Sequence, residues 1–561
     1  MTSPNTTLRT NVLAERVAEW ARTKPNDSAY TELRYHGRDC VAVTLTYERL
    51  HHAAGAQAQR LRATTDPGDR VAILCTHGID YVIAFLACLY SNRIAVPLFP
   101  PTSNRNRPRL DGVLADARPA LSLISPTDTT TTGKILGPEL GRVLKLPSHT
   151  TTLATDPIIE RTETAYLQYT SGSTKTPAGV EVTHANLAAA LDQLWTAVPA
   201  VRTEPIVSWL PFFHDMGLIL TLSLPLYSGV HGITMAPAEF VKRPIRWLRA
   251  LSDYRAGTTG SPNFGLALAV SATTPVERAG LDLSPLDALL NGAEPIRAEA
   301  LTAFTETFAP YGLRHRAHTP GFGLAEATLS VTVCGVRDEP ATHRFDRMAL
   351  AQGRAQPAPR GVPLVGCGIP VGQQVAVVDP DEHTEVAAGT VGEIWVCGPN
   401  VCAGYYNNPI ATAATFRATL DGSEESWLRT GDLGFWHEDQ LYIAGRLKDL
   451  IVIDGRNHYP ADIESTVSDC APEVRVGHVT AFGHDDGHRE DLVVVAELAD
   501  AAATGSAELA RRIRNAIAAA HEVTPGAVVL VQPGRIPKTS SGKLRRGECR
   551  ALYRAGHLTQ P

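Results

Sequence analysis

Residues 170–174 read Thr-Ser-Gly-Ser-Thr, four hydroxyl side chains around one glycine. Gly172 allows a turn that a Cβ would block, and successive backbone amides in such a turn form a concavity that holds anions. Thr170, Ser171, Ser173 and Thr174 add hydroxyl donors, so the run is suited to a pyrophosphate. Lys175 is the only lysine or arginine between residues 166 and 187, and Ala178 stands before Gly179, where many phosphate loops place a cation. The familiar GxxxxGK[ST] template is absent. Gly133-Lys134 is followed by Ile135, and Gly542-Lys543 has Pro537 where the first glycine belongs. The charge that phosphate chemistry needs must therefore come from elsewhere in the chain.

A chain of 561 residues predicts two to four structural units around such a loop. A net charge of −6 gives no electrostatic case for nucleic acid. Nine cysteines without a CxxC pair predict reduced thiols rather than a disulfide frame or zinc site, and Cys397 and Cys402 read as apolar core thiols. The N-terminus lacks a signal-peptide core, and the longest apolar run (81–90) is too short to span a bilayer. A cytoplasmic protein with no transmembrane segment is the expectation. Short apolar runs at 70–78, 94–101, 120–125 and 205–212 alternate with helical patterns, the grammar of a doubly wound α/β sheet. Residues 366–406 read as a small β unit, and the chain beyond about residue 449 as a compact α+β domain. Residues 127–133 read as a loop and 499–510 as a helix entry.

Six further strings occur in order: WLPFFHDMGL (209–218), NGAEP (291–295), GFGLAEATL (321–329), RTGDLG (429–434), GRLKD (445–449) and PKTSSGK (537–543). With YTSGSTKTPAGV they resemble, motif by motif, the adenylate-forming superfamily of acyl-CoA synthetases, peptide-synthetase adenylation domains and luciferases. The resemblance covers about residues 40 to 550. VPLFPP (96–101), TPAGV, KRPIRWLRALSDYRA (242–256), SPNF (261–264) and GRNHYPADIE (455–464) are similar to the fatty acyl-AMP ligases in particular. So is an insertion at about 332–364, which in those ligases is thought to restrain the tail domain and disfavour coenzyme A.

The resemblance implies an N-terminal adenylation domain (1–445) of two doubly wound α/β subdomains and a β-barrel-like subdomain, a hinge (446–448), and a mobile C-terminal α+β domain (449–561). It implies ATP-dependent conversion of a fatty acid to acyl-AMP with release of pyrophosphate. Two anions must meet in that step, so cations or donors are needed at the attacking oxygen and the phosphate. By motif position Lys543 is the catalytic cation, Glu326 holds Mg²⁺ together with Thr170, and His214 gates or orients the carboxylate. ATP would contact Thr170 through Lys175, the stretch Asn291, Gly292, Ala293 and Glu294, and Phe322, Gly323, Leu324 and Ala325. Phe322 stands where most relatives stack a tyrosine on adenine. Asp432 would accept the ribose hydroxyls, Arg446 would contact the ribose or phosphates, and Lys448 would be the hinge residue. Phe212, Met216, Leu218, Pro262, Asn263 and Phe264 would line the acyl tunnel.

Lys175 is expected to substitute for the missing cation as a flexible phosphate contact. The acyl acceptor is expected to be a separate, phosphopantetheinylated acyl carrier protein, since no GxDS(L/I) site follows, as in stand-alone ligases of polyketide or lipopeptide lines. The alternative is a fatty acyl-CoA synthetase. A peptide-synthetase adenylation domain would need an aspartate for a substrate ammonium, and residues 210–224 offer only Asp215. A non-catalytic relative would be expected to lose Lys543, Glu326 or Asp432, and all three are present.

Overall fold

A computed structural model describes residues 12–100, 107–126, 142–147, 163–169, 177–453, 455–485, 490–500, 506–538 and 544–558. Two large sheets dominate. One has nine strands, six of them in a parallel run in the order 318–323, 288–291, 258–260, 206–208, 232–235 and 28–36. The other has seven, with 164–169, 94–97, 70–73, 121–124 and 142–145 parallel in that order. Most of their interior strands are short and buried nearly throughout, as parallel strands covered on both faces must be, while edge strand 142–145 is largely exposed.

Helix Ile79–Tyr90 joins the two sheets. All twelve of its residues are buried. Phe85 packs edge-on against Tyr166 of the seven-stranded sheet, and Tyr81 against Phe212, which follows strand Ile206–Ser208 of the other. The apolar run at 81–90 is thus wedged between layers, and no helix among the described residues is long and apolar enough to cross a membrane. A continuous apolar core runs through both sheets, and a separate one fills the C-terminal region.

The antiparallel unit is longer than the pattern at 366–406 predicts. Its strands are 374–378, 392–397, 418–419, Ser426–His437 and Gln440–Arg446. Residues 429–434, which the sequence reading does not assign to this unit, lie inside a strand with an irregular register at Leu433/Gly434. The insertion forms a hairpin, Thr342–Phe345 with Val362–Val365, around a short helix, Arg347–Ala351. Phe345 packs on Phe435 and Tyr442, which fastens the hairpin to this sheet.

Beyond it, strands Val474–Asp485, Glu490–Leu498 and Ala527–Val531 form a three-stranded sheet with helices Pro460–Cys470, Ser506–His521 and Arg546–Arg554. The overall class is the mixed α/β body with a smaller α+β C-terminal unit that the sequence predicts.

Candidate active site

The motifs meet in one cleft of about 2150 Å³ between the two sheets, the antiparallel unit and the C-terminal region. Thr170, Ser171, Gly172, Ser173, Thr174, Lys175 and Lys543 lie outside the described residues. Their neighbours are informative. Gln168, Tyr169, Pro177 and Ala178 line the cleft on either side of the hydroxyl loop, and Lys538, Leu544, Arg545 and Arg546 do so around the C-terminal lysine. The loop ends are fixed. Tyr169 donates to Asp116 Oδ2 at 2.6 Å, and its ring lies where a Cβ on Gly179 would sit, 2.8 Å from Cζ. Gln168 Nε2 donates to the Phe213 carbonyl at 3.0 Å, tying this strand to the PFFHDMG segment. At the far end Lys538 and Leu544 form an antiparallel bridge, and the Arg545 amide donates to the Pro537 carbonyl at 3.0 Å.

Strands Ala288–Asn291 and His318–Gly323 deliver the next residues side by side. A Cβ on Gly292 would lie 2.9 Å from the Gly321 carbonyl oxygen, so glycine is required where these segments converge. Asn291 is 2 % exposed and lines the cleft, yet neither side-chain polar atom has a hydrogen-bond partner. A buried amide in that condition is destabilising unless a ligand satisfies it. Ala293 has φ 70°, a left-handed conformation unusual for alanine and of the kind found at functional sites. Glu294, Phe322, Gly323, Leu324 and Ala325 also line the cleft.

Glu326 sits in the short turn Ala325–Ala327. Its Oε1 accepts the Tyr405 hydroxyl at 2.9 Å. Burial raises its pKa, with a smaller contribution from Asp215, while Tyr405 and Arg446 oppose the rise. A carboxylate so desolvated gains from a cation, and its hard oxygen donors suit Mg²⁺. Across the cleft, Arg446 Nε donates to Asp432 Oδ1 at 2.9 Å, and Asp432 is 5 % exposed. The Arg446 pKa is raised, chiefly by Asp432. Lys448 is exposed in the 3₁₀ turn Leu447–Asp449 that leaves this strand.

His214 and Asp215 line the cleft with Nδ1 and Oδ1 2.5 Å apart. The widened π-helical turn Gly217–Ser223 follows, and a Cβ on Gly217 would lie 2.0 Å from the Pro211 carbonyl oxygen. Met216, Asn263 and Phe264 line the expected acyl side. Phe212, Leu218 and Pro262 do not reach it. Phe212 turns into the core and stacks on His77 at 4.0 Å, leaving Phe213 on the cleft. Leu218 is fully buried, and Leu220 lines the cleft instead. Pro262 only begins helix Asn263–Ser271.

Two contributors were not singled out in sequence. Tyr405 is brought to Glu326 by strand pairing of 404–405 with 179–183, a long-range contact without a local signature. Arg109 lines the cleft, and burial together with the Arg545 guanidinium lowers its pKa, so positive charge gathers at this end.

Residues 17–406 match the model of the AMP-binding enzyme family, and residues 448–560 that of the Disco-interacting protein 2-like AMP domain. The chain belongs to the AMP-binding enzyme family. This enzyme is 40 % identical to a 4-hydroxyphenylalkanoate adenylyltransferase of Mycobacterium tuberculosis over 95 % of its own length and 90 % of the relative's. It is 38 % identical to a second protein of that organism, provisionally named fatty-acid–CoA ligase FadD25, over 98 % of each chain. Among solved structures it resembles a fatty acyl-adenylate ligase from Legionella pneumophila in complex with acyl adenylate and pyrophosphate. That match has a TM-score of 0.75, 34 % identity and 98 % coverage of each chain. A structure from a study of such ligases of E. coli and L. pneumophila gives a TM-score of 0.85 at 31 % identity, over 97 % of this chain and 98 % of the other. The enzyme is an adenylate-forming ligase of the fatty acyl-AMP type.

Proposed function

We propose that the enzyme activates a fatty acid with ATP and Mg²⁺, releases pyrophosphate, and passes the acyl group to the phosphopantetheine thiol of a separate acyl carrier protein. Asn291 and Phe322 hold adenine, Asp432 and Arg446 the ribose, and residues 170–175 with Arg109 the terminal phosphates. Mg²⁺ held by Glu326 and Thr170 would neutralise phosphate charge. Lys543 places its ammonium between the carboxylate and the α-phosphate, and His214 orients the acid. The carboxylate oxygen then displaces pyrophosphate at the α-phosphorus. Such positioning and charge stabilisation are the main sources of rate in transfers of this kind.

The observation that carries the reading is convergence. Both flanks of the hydroxyl loop, both flanks of the Lys543 segment, and Asn291, Glu326 and Asp432 line one cleft. Preference for a carrier protein over coenzyme A draws support from the insertion. Arg347 Nε and Nη2 donate to the two oxygens of Asp462 at 2.6 and 2.9 Å, and Nη1 donates to the Ala520 carbonyl at 3.3 Å. That clamp spans from the insertion to the C-terminal unit, whose reorientation about Lys448 would bring in the thiol. The name of the mycobacterial relative favours a second substrate class, aryl-substituted alkanoic acids.

Pyrophosphate release across linear fatty acids and 4-hydroxyphenylalkanoic acids tests both, each with holo carrier protein or coenzyme A as acceptor. Acyl-adenylate formation with efficient transfer to the carrier alone is expected. Abundant acyl-CoA would overturn the acceptor assignment, and exclusive use of the aryl acids would overturn the fatty substrate.

A further inference from the structure

Away from the cleft, the insertion and the antiparallel sheet bring two imidazoles and a carboxylate together. His343 lies on insertion strand Thr342–Phe345, His437 ends strand Ser426–His437, and Glu438 opens the turn into strand Gln440–Arg446. One ligand atom of each lies within 4.8 Å of the other two. His343 Nε2 is 3.5 Å from Glu438 Oε2, and His437 Nε2 is 3.9 Å from Oε1. Metal bonds of about 2.0–2.1 Å in a tetrahedral site set ligand atoms roughly 3.3 Å apart, so no pair of the trio must close by more than about 1.5 Å.

The His343 ring is held from behind. Its Nδ1 lies 2.7 Å from the Tyr442 hydroxyl oxygen. With Nδ1–H donating to that oxygen, the Nε2 lone pair faces Glu438, as in metal-ligating histidines supported through their second nitrogen. The two imidazoles meet edge to face with centroids 5.1 Å apart. The carboxylate is presented by a turn whose residues Glu438 and Asp439 have φ of 46° and 59°. Such hairpin turns favour Asn-Gly, so an acidic pair here holds a conformation that its side chains do not favour by themselves.

We propose that His343, His437 and Glu438 bind a borderline divalent cation of the zinc class, with water completing the coordination. Two imidazoles and one carboxylate suit such an ion, whereas Mg²⁺ and Ca²⁺ prefer oxygen ligands throughout. The ion cross-links the insertion to the antiparallel sheet. Arg347 follows His343 by four residues and grips Asp462, so the metal stiffens the strut through which the insertion reaches the C-terminal unit.

Calorimetric titration of metal-stripped, full-length enzyme with Zn²⁺, and separately with Mg²⁺ and Ca²⁺, tests the site, with thermal unfolding as a second readout. One Zn²⁺ per chain with micromolar affinity and a raised Tm is expected, with no such effect from Mg²⁺ or Ca²⁺. His343→Ala and His437→Ala should each weaken binding at least about tenfold, and the double variant should lose it while keeping the wild-type circular dichroism spectrum. Anomalous scattering from a Zn²⁺-soaked wild-type crystal gives a check independent of variant folding, with a peak expected between the three side chains. Zn²⁺ binding unchanged in the folded double variant, no uptake below millimolar concentration, equal binding of Mg²⁺ that the double variant loses, or an anomalous peak only elsewhere would each overturn the proposal.

Discussion

Two arginine–carboxylate forks on helix Pro460–Cys470 have nearly the same chemistry and different surroundings. Arg546 Nε and Nη2 donate to Glu464 at 2.9 and 2.7 Å, much as Arg347 does to Asp462. Asp462 and Glu464 are two positions apart, so they leave the helix on opposite sides. Glu464 faces inward. It is 3 % exposed, accepts the Ala481 amide at 3.0 Å, and anchors the segment just beyond Lys543. Asp462 faces the insertion, more than a hundred residues away in sequence. One fork therefore holds a domain together, and the other holds two regions against each other. Bidentate geometry alone does not say which.

Breaking the inner fork is expected to have the largest effect. Arg546→Ala leaves a buried carboxylate without its counter-ion, a loss of about 3–5 kcal/mol. Chemical denaturation should show a destabilised C-terminal unit, and pyrophosphate release should fall with it. Lys543→Ala sharpens the contrast, because it should leave the denaturation midpoint unchanged. Removing a preorganised charge-stabilising donor corresponds to about 3–4 kcal/mol, so acyl-adenylate formation should drop to background in a pyrophosphate-exchange assay.

Acid tests the outer fork next. His521 Nδ1 lies 3.6 Å from Asp462 Oδ2, and burial lowers its pKa to about 4, with His184 and His231 also lowered to about 4 by burial. Above about pH 6.5 these groups are neutral whether folded or not. Between about 6.5 and 4 the unfolded chain takes up protons that the fold refuses, so the stability tied to these three groups falls as pH falls and levels off below about 4, while His77 and His318, lowered to about 3 by burial, carry the decline further. A thermal-shift series over that window should show the decline, with a shallower slope in His521→Gln.

Smaller still is the effect of Arg347→Ala on folding, expected within about 1 kcal/mol for a partly exposed pair. Its adenylation rate should be unchanged, while acyl-CoA formation should rise several-fold in a thioester assay. Lys175→Ala should do least, raising the ATP KM a few-fold at a loss of about 1 kcal/mol. If it proved as inactive as Lys543→Ala, the assignment of these two lysines would fail.

The fold class and the motif order were legible because adenylation chemistry concentrates its residues in short contiguous strings. Side-chain direction within a string was not. PFFH offers two adjacent phenylalanines, and only the packing of His77 and Tyr81 decides that Phe212 faces the core and Phe213 the cleft. Contacts between distant segments left no pattern either. Tyr405 reaches Glu326 from 79 residues away, and Arg347 reaches Asp462 from 115. The extent of the antiparallel unit was underestimated because turn-like residues at 429–434 lie within a strand.

Helix Ile79–Tyr90, enclosed on every side between the two large sheets, has a mechanical consequence. Sliding one sheet past the other would expose a row of twelve buried side chains, so the N-terminal body moves as one slab. An opening that admits a larger acceptor is then expected at the junction with the smaller unit, a displacement that would leave this helix covered.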